Sequence, residues 1–473
     1  MLLNWNFDNS YLNLPKNFYS YVKVESFPET KIILLNKELL KDLDLDISNI
    51  NLKELSLILS GQKKEDQKKN FSQAYAGHQF GYFTVLGDGR ALFLGEHINN
   101  ENKRFDINLK GSGKTPYSRN GDGKAALGPM LREYIISEAM FHMNIPTTRS
   151  LAVILTGEKI LREKLLKGAI LNRVAKSHIR VGTFQFAKLF KEKDYIKELT
   201  EYSIKRHYPE LNNKKNKIEK FLKIVSLKQL NLIIEWMRVG FIHGVMNTDN
   251  MSIAGETIDY GPCAFMDEYD PKTVFSSIDQ NGRYSFENQP KIAQWNLSRF
   301  AETLLFLIDK DEKIAIQKAE KILNNFQKKF HLEWLKMMKS KIGLYDENIN
   351  DTKLIYELLN IMHVHKMDYT NTFIDLENNE LKKYTFFQDW LKKYHERKKT
   401  NKTNIKNIKI NPFIIPRNHI VEKCINEAEN NKFDNLKKLI NDLKKPYENN
   451  NSNEWLKKLP VINEKVFKTF CGT

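Results

Sequence analysis

The sequence GFIHGVMNTDNMSIAGETIDYG occupies residues 240–261 and lies between apolar segments of the chain. It contains a histidine (His243), an asparagine amide (Asn250) and two aspartates (Asp249 and Asp259) in a short loop. Mg²⁺ binds one or two carboxylates together with substrate phosphates rather than a complete protein cage. The stretch therefore predicts the metal- and phosphate-binding floor of an ATP-using enzyme.

The spacing within this loop invites comparison with protein kinases, which carry His-Arg-Asp-x-x-x-x-Asn followed by Asp-Phe-Gly. Aligning His243 with the kinase histidine places Asn250 at the metal-binding asparagine and Asp259 at the aspartate of Asp-Phe-Gly. The kinase base position holds Val245, whose aliphatic side chain cannot accept a proton. A carboxylate reappears at Asp249, so we predict a nucleotide site whose acid–base group has moved.

The chain before this loop has the order of parts of a kinase small lobe. A strand over 82–86, a glycine-rich turn at Gly87–Arg90 and a strand over 91–96 predict a hairpin with a glycine tip. The next predicted strand ends at Lys110, and a helix with an apolar face carries Glu133. In that order a glycine loop covers phosphates, a lysine contacts them and a glutamate holds the lysine.

The remainder of the chain is predicted to be mainly helical, after strands over 150–155 and 169–175. The guanidinium groups of Arg173 and Arg180 suit bidentate phosphate contacts. A polar helical connector is predicted over 194–223, a basic linker over 400–409 and a last helical segment over 421–443. The fold class is α+β, a kinase-like two-lobed fold with a C-terminal helical extension. The predicted boundaries are 1–178 for the N-terminal small lobe and 179–473 for the helical lobe.

Composition limits the other classes of function. The 473 residues include 41% hydrophobic and 28% charged residues, which allows a sizeable core. The net charge of +17 would suit a nucleic-acid partner. Because the basic residues are mostly lysines scattered through surface-type stretches such as 214–219, we favour a solvated surface and consider nucleic acid an unlikely partner.

The cysteine content and the hydropathy predict a cytoplasmic protein with no membrane partner. Cys263, Cys424 and Cys471 lie far apart and have no CxxC spacing, which argues against a zinc site or a disulfide scaffold. The start of the sequence has no signal-type pattern, and no apolar run reaches the roughly 18 residues of a membrane helix.

Several ordered blocks resemble the selenoprotein O family, whose bacterial members are often called YdiU. The blocks span roughly residues 70–300, and weaker ones extend the resemblance nearly to the end of the chain. They are Tyr75–Gly81, Leu109–Arg119, His243–Met251, Thr257–Pro262 and Asn288–Pro290 with Trp295–Leu297, followed by Asp368–Asn371, Asn411-Pro412 and Arg417-Asn418.

The resemblance implies a kinase-like fold that transfers AMP from ATP to protein hydroxyls, with the nucleotide bound in a flipped orientation. It implies that Asp249 is the proton acceptor, that Asn250 and Asp259 are Mg²⁺ ligands, and that Glu133 orients Lys110. The residues that the resemblance assigns to the nucleotide are Gly87, Gly89, Arg90, Lys110, Asp122, Gly123, Arg173, Arg180 and Asp259. Leu92 departs from the kinase pattern, because it stands where a kinase loop has its third glycine.

Cys471 stands where some members of the family carry selenocysteine, and the resemblance implies redox control by this residue. Cys263 or Cys424 would be its partner, and Cys263 is closer in sequence to the loop of residues 240–261, which we call the floor loop. The alternative that we favour is that both are buried, inert thiols.

Other activities remain open at the level of sequence. Some bacterial members favour UMP transfer from UTP with Mn²⁺. An ordinary kinase could use Asp249 as a displaced base. Protein substrates, including the enzyme itself, are implied for the transferase. The non-enzyme alternatives are a nucleotide-sensing pseudokinase and a basic scaffold that binds nucleic acid, although the lysine-rich stretches contain few of the aromatic residues that a scaffold needs.

Overall fold

The computed structural model describes residues 3–63, 70–190, 194–401, 409–450 and 453–469. Strands dominate the first 175 residues and helices the rest, so the fold is mixed α/β. The strands are β1 (Tyr19–Tyr21), β2 (Lys31–Leu35), β3 (Phe71–Gln79), β4 (Tyr82–Gly87), β5 (Ala91–Ile98), β6 (Arg104–Lys110), β7 (Arg149–Leu161), β8 (Leu165–Ala175), β9 (Phe241–Ile242) and β10 (Ala264–Phe265).

The first eight strands form one antiparallel sheet within the described residues. Its order is β1-β3-β5-β6-β8-β7-β2, and β4 pairs with β3 beside this path. The β7–β8 hairpin is longer than the two short strands predicted there, because its register continues from Arg149↔Val174 to Leu161↔Leu165 through two irregularities. The sheet places Lys110 at the end of β6 directly opposite Ala91 of β5 and Leu171 of β8.

The predicted hairpin tip at Gly87–Arg90 is wrong. As the structure describes them, β4 and β5 are not paired with each other, and both run antiparallel to β3. The chain reverses at Phe80-Gly81, where φ is 51° and 94°, as a tight two-residue turn requires. Gly87–Arg90 is a bend between β4 and β5 that two hydrogen bonds of 2.9 Å between Asp88 and Gln73 hold against β3.

The helix α3 (Leu127–His142) is buried on nearly all sides. The apolar positions that predicted it, such as Leu131 and Ile135, are in the core. One side packs on β7 and β8, and α12 (Asn418–Glu429) and α13 (Asp434–Leu443) from the far end of the chain cover another. Because α3 is enclosed by both parts of the chain, the position of Glu133 on it is fixed by packing.

The helical part begins after β8, and of the α-helices in the described residues only the short α1 (Lys37–Asp42) and α2 (Leu52–Leu59) and the helix α3 precede it. Its α-helices before α12 are α4 (Val181–Ala187), α5 (Asp194–His207), α6 (Lys217–Arg238), α7 (Gln289–Ile308), α8 (Glu312–Lys341), α9 (Asp351–Val364), α10 (Tyr369–Glu377) and α11 (Gln388–Thr400). None of the helices in the described ranges is long and apolar enough to cross a membrane.

Two helical predictions were too long, for the same physical reason. The connector predicted over 194–223 is broken between α5 and α6, where Pro209 starts a short turn and Asn216 has a φ of 57°. The segment predicted over 421–443 consists of α12 and α13, separated at Asn431, whose φ is 61°. Left-handed backbone ends a helix. The linker predicted over 400–409 lies largely outside the described residues.

A buried arginine joins the C-terminal segment to the chain that follows the floor loop. Arg417 is only 1% exposed. Its guanidinium donates to Asp368 at 2.8 and 3.0 Å, to Asp267 at 2.5 Å and to the carbonyl oxygen of Leu456 at 3.0 Å. Burying a charge is tolerable only when such partners satisfy it.

We predict that Arg417→Ala lowers the free energy of unfolding by about 3 to 5 kcal/mol, because it leaves the buried Asp368 and the half-buried Asp267 without their partner. Thermal and urea-induced unfolding would measure the loss. Lys392→Ala is the control, since its ion pair with Asp389 is on the exposed face of α11. Equal stability of the Arg417 and Lys392 variants would contradict the structural role of Arg417.

Candidate active site

A cavity of about 820 Å³ lies between the sheet and the floor loop. The residues predicted to bind nucleotide or metal all contribute to its wall, and Glu133 lies directly behind Lys110. Those in the wall are Gly87, Gly89, Arg90, Lys110, Asp122, Gly123, Arg173, Arg180, Asp249, Asn250 and Asp259. Cys471 lies outside the described residues, whereas Cys263 and Cys424 are buried and no disulfide joins these two. The structure thus brings the predicted residues together, and their roles stay predictions.

Two carboxylates and three cations form a compact cluster at the inner end of this cavity. Lys110 Nζ lies 2.6 Å from Glu133 Oε2 and 3.3 Å from Asp259 Oδ1. The Arg173 side chain donates from Nε to Glu133 at 2.7 Å and from a terminal nitrogen to Asp259 at 2.7 Å. A terminal nitrogen of Arg180 lies 3.7 Å from Asp259. Because β6, α3, β8, the start of α4 and the floor loop supply these groups, the cluster fixes the sheet against the loop.

The cluster keeps its carboxylates ionised in spite of burial. Burial opposes ionisation of Asp259, but Arg173, Lys110 and Arg180 hold its pKa well below the usual range. For Glu133 too, burial raises the pKa, but Arg173 and Lys110 outweigh this effect, so the pKa is lowered. Asp259 has a φ of 63°, in the left-handed region, and this turns the chain after Ile258 into the cluster.

His243 shapes the floor loop and does not face the cavity. Its ring is buried, lies 5.3 Å from the Trp236 ring and has Nε2 2.8 Å from the carbonyl oxygen of Ile258. Burial lowers the pKa of His243, so the ring is neutral and donates from Nε2 to that carbonyl. This bond ties the two ends of the floor loop together, one residue before Asp259.

The side chain of Asn250 is hydrogen-bonded to the backbone of Val245 within the loop. The amide nitrogen of Asn250 donates to the carbonyl oxygen of Val245 at 2.9 Å. The amide oxygen of Asn250 is therefore directed away from that carbonyl, and both residues line the cavity. Val245 offers no proton acceptor at this point of the wall, as the sequence predicts.

Asp249 is enclosed by two glycines and is 6% exposed. A Cβ on Gly77 would lie 2.2 Å from Asp249 Oδ1, and a Cβ on Gly182 would lie 3.1 Å from the Asp249 Cα. That Oδ1 is buried and has no hydrogen-bond partner among the described residues. Burial raises the pKa of Asp249 to about 6, against the opposing effect of Arg180. Such a carboxylate is suited to accept a proton near neutral pH.

A closed circuit of hydrogen bonds holds the loop at Asp249 against β3. The backbone N–H of His78 donates to Thr248 Oγ1 at 2.7 Å, and the Thr248 hydroxyl donates to Gln185 Oε1 at 2.6 Å. The amide nitrogen of Gln185 donates to His78 Nδ1 at 2.8 Å. Three separate elements are joined in this way, and the residue after Thr248 is Asp249.

The loop Gly121-Asp122-Gly123 is organised by a bidentate ion pair. Arg162 on the β7–β8 turn donates two hydrogen bonds to Asp122, at 2.9 and 3.0 Å. Gly123 has a φ of 70°, and a Cβ there would lie 2.1 Å from the carbonyl oxygen of Gly113. Only glycine fits this crossing of two chains. Asp122 is therefore engaged by Arg162 at the cavity wall.

The donor set suits a hard divalent cation that also binds substrate phosphates. Among the described residues no group of three or more His, Cys, Asp or Glu side chains could hold a metal on its own. Asp259 supplies an ionised carboxylate and Asn250 an amide oxygen, and Mg²⁺ accepts such a partial set when phosphates complete it. The residues present therefore fit Mg²⁺ with a phosphate substrate.

Sequence reasoning missed several groups in this site. Asp88 stands between two predicted glycines and is 4% exposed, with Oδ1 3.7 Å from Arg180. Tyr75 and Gln79 of β3 line the cavity, and the Tyr75 ring lies 4.3 Å below the Arg180 guanidinium. The period-two pattern along β3 could have indicated Tyr75 and Gln79. No local signal indicates Gln185, which acts through residues far away in sequence.

Comparison with known proteins gives a consistent result along the chain. The family profile described as protein adenylyltransferase SelO matches residues 1–444. The chain is 52% identical to the protein nucleotidyltransferase YdiU of Pelagibacter ubique (strain HTCC1062), with 100% of both chains covered. Its identity to the proteins of the same name is 50% for Brevibacillus brevis (99% of this chain, 98% of the relative) and 47% for Nitrosococcus oceani (100% and 98%).

We predict that Asp88→Asn stabilises the protein at pH 8 by about 2 to 3 kcal/mol. Burial raises the pKa of Asp88 to about 6, above the usual value near 3.8, so the folded state binds its proton more tightly than the unfolded state does. Protonated Asp88 makes its full contribution to the stability of the wild type below about pH 4, and this contribution is lost as the pH rises through 6.

The measurement is the difference in thermal midpoint between the Asp88→Asn variant and the wild type across pH 5 to 8. The increase in thermal midpoint caused by Asp88→Asn should be smaller near pH 5 than at pH 8, because the wild-type carboxyl is largely protonated near pH 5. A gain that is constant with pH, or a loss at pH 8, would contradict an ionised and poorly solvated Asp88.

Proposed function

The chain belongs to the family of protein adenylyltransferases described as SelO, and from this premise we propose that it transfers AMP from ATP to Ser, Thr or Tyr hydroxyls of proteins. The family makes the chain a nucleotidyltransferase that acts on proteins. The observation that carries the finer proposal is the enclosed carboxylate of Asp249 at a cavity whose inner end is lined by cations, with Val245 at the kinase base position.

The proposal includes a kinase-like arrangement of two lobes, with the eight-stranded sheet in residues 1–178 and most of the helices in 179–473. The ion pair between Lys110 on β6 and Glu133 on α3 supports it, as does the floor loop facing this pair across the cavity. In kinases the corresponding lysine and glutamate must be paired for activity.

The proposed step is a substitution at the α-phosphorus of ATP. The acceptor hydroxyl oxygen forms a bond to this phosphorus, and the bond from phosphorus to the α,β-bridging oxygen breaks. Asp249 accepts the hydroxyl proton, and pyrophosphate leaves with the bonding electron pair. Asp249 lines the cavity, and its buried Oδ1 has no hydrogen-bond partner in the described structure, which supports this role.

The inner end of the cavity suits the leaving group. Lys110, Arg173 and Arg180 concentrate positive charge there, and such preorganised charge stabilises the negative charge that develops on a leaving group. A triphosphate bound with its β- and γ-phosphates toward this cluster would leave the α-phosphate nearer to Asp249. This orientation is the reverse of the one in kinases, where the γ-phosphate faces the base.

Asn250 and Asp259 would hold Mg²⁺, or Mn²⁺ in its place, together with phosphate oxygens. The bound cation would supply charge neutralisation at the phosphates. Asp259 now carries three cationic neighbours, so sharing its charge with a metal would leave Lys110, Arg173 and Arg180 available to the triphosphate. ATP is proposed over UTP because the family description names adenylyl transfer, whereas the names of the curated relatives leave the nucleotide open.

The deciding experiment compares ATP labelled at the α-phosphate with ATP labelled at the γ-phosphate. We predict that protein, either an added acceptor or the enzyme itself, takes up only the α-label. Asp249→Asn should lower the rate by about 10²- to 10⁴-fold with little change in ATP affinity, because it removes only the proton acceptor. Label from the γ-phosphate would identify a kinase and refute the proposal. Competition between ATP and UTP with Mg²⁺ or Mn²⁺ decides the nucleotide.

We also predict that Asp259→Ala lowers transfer by about 10²- to 10³-fold and removes the effect of Mg²⁺ on ATP affinity. Calorimetric titration with ATP, with and without Mg²⁺, measures the second effect separately from turnover. Asp389→Asn, on the exposed face of α11, is the matched control. Full transfer activity in the Asp259 variant would refute the metal assignment. If the substitution leaves ATP binding unchanged and the wild type shows no turnover, a nucleotide sensor would be favoured.

A further inference from the structure

The turn of the β3–β4 hairpin connects the cavity wall to an exposed surface. Gln79 lines the cavity beside Asp249, and the backbone N–H of Phe80 donates to Asn247 Oδ1 at 3.1 Å. A Cβ on the next residue, Gly81, would lie 3.8 Å from Arg283 Cζ. Three successive residues therefore lead from the proposed proton acceptor to Arg283.

Aromatic side chains are unusually accessible around this turn. Tyr82 is 81% exposed and Phe83 is 43% exposed, both on β4. The Phe83 ring lies 5.2 Å from the His78 ring, and the His78 ring lies 5.2 Å from the half-buried Trp295 on α7. We call the set Tyr82, Phe83, His78, Trp295 and Arg283 the hairpin surface. Exposed aromatic groups of this kind mark contacts with other proteins.

Arg283 gives the hairpin surface its charge. Its guanidinium lies 4.8 Å from the Trp295 ring centre and 5.7 Å from that of Tyr284. Its Nε is buried without a hydrogen-bond partner, and within the described part of the chain no carboxylate forms an ion pair with it. The carboxylate of Asp279 binds the backbone N–H groups of Arg283 and Tyr284 instead. The planar cation is thus held in place by rings while its charge is left for an anion.

We infer that the hairpin surface binds the acceptor protein through a segment that carries a carboxylate within a few residues of the modified hydroxyl. The inference rests on the proposed transfer to protein hydroxyls. Arg283 supplies the complementary charge, Tyr82 and Phe83 supply apolar contact, and continuity with the cavity through Gln79 places the bound segment beside Asp249. A nucleobase stacked on Trp295 is the rival occupant.

The test uses synthetic peptide pools with a central Ser, Thr or Tyr, flanked by Asp, Asn or Lys, together with α-labelled ATP. Wild-type enzyme should favour the Asp pool over the Asn pool by about tenfold in kcat/KM, mainly through KM, as expected for a hydrogen-bonded ion pair at a half-buried site. Arg283→Gln should bring this ratio close to one. Arg299→Gln is the control, because Arg299 also lies against the Trp295 ring but is paired with Glu302.

A charge reversal separates recognition from a merely structural role. Arg283→Glu should transfer the preference from the Asp pool to the Lys pool, which a loss of folding could not produce. Equal use of the Asp and Asn pools by the wild type, or an unchanged ratio in Arg283→Gln, would overturn the inference and leave the proposed transfer intact. If Arg283→Gln raises the KM for ATP and leaves the peptide preference unchanged, the surface binds the nucleobase, and the inference is also overturned. Absence of α-label from every pool and from the enzyme would overturn both.

Discussion

The structure depends on the ion cluster in which Asp259 and Glu133 are shared by Lys110, Arg173 and Arg180. The groups come from β6, α3, β8, the start of α4 and the floor loop, so one cluster connects the sheet to the helical part. Isolated charges at this depth would be strongly unfavourable, and each is tolerable only because its partners are present. The cavity keeps its shape because these partners are fixed by the packing of their elements.

Asp249 lies in a different electrostatic environment from Asp259, although both line one cavity. Asp259 is surrounded by cations and stays ionised, whereas Asp249 is packed against Gly77 and Gly182, and burial raises its pKa to about 6. Pairs of titratable groups whose pKa values are driven apart are typical of acid–base assignments. The hydrogen-bond circuit through His78, Thr248 and Gln185 then fixes the loop that carries Asp249.

Much of the site could be predicted because its residues occur in ordered local motifs. Lys110 ends a strand and Glu133 lies on the next helix, so their contact is expected from the order of the elements. The bend at Gly87–Arg90 was misjudged because glycines serve a tight turn and a strand bend equally well, and only the bonds between Asp88 and Gln73 distinguish the two. Gln185 could not be found, because its partner His78 lies 107 positions earlier and tertiary packing alone joins them.

The left-handed backbone of Asp259 narrows the amino acids that evolution can place there. Aspartate, asparagine and glycine adopt this conformation at modest cost, and branched or bulky residues do not. Of these three, only aspartate balances the surrounding cations. A descendant with asparagine at this position would leave Lys110, Arg173 and Arg180 without that counter-charge, which is costly for buried cations. The backbone conformation and the neighbouring cations together therefore restrict this position to aspartate.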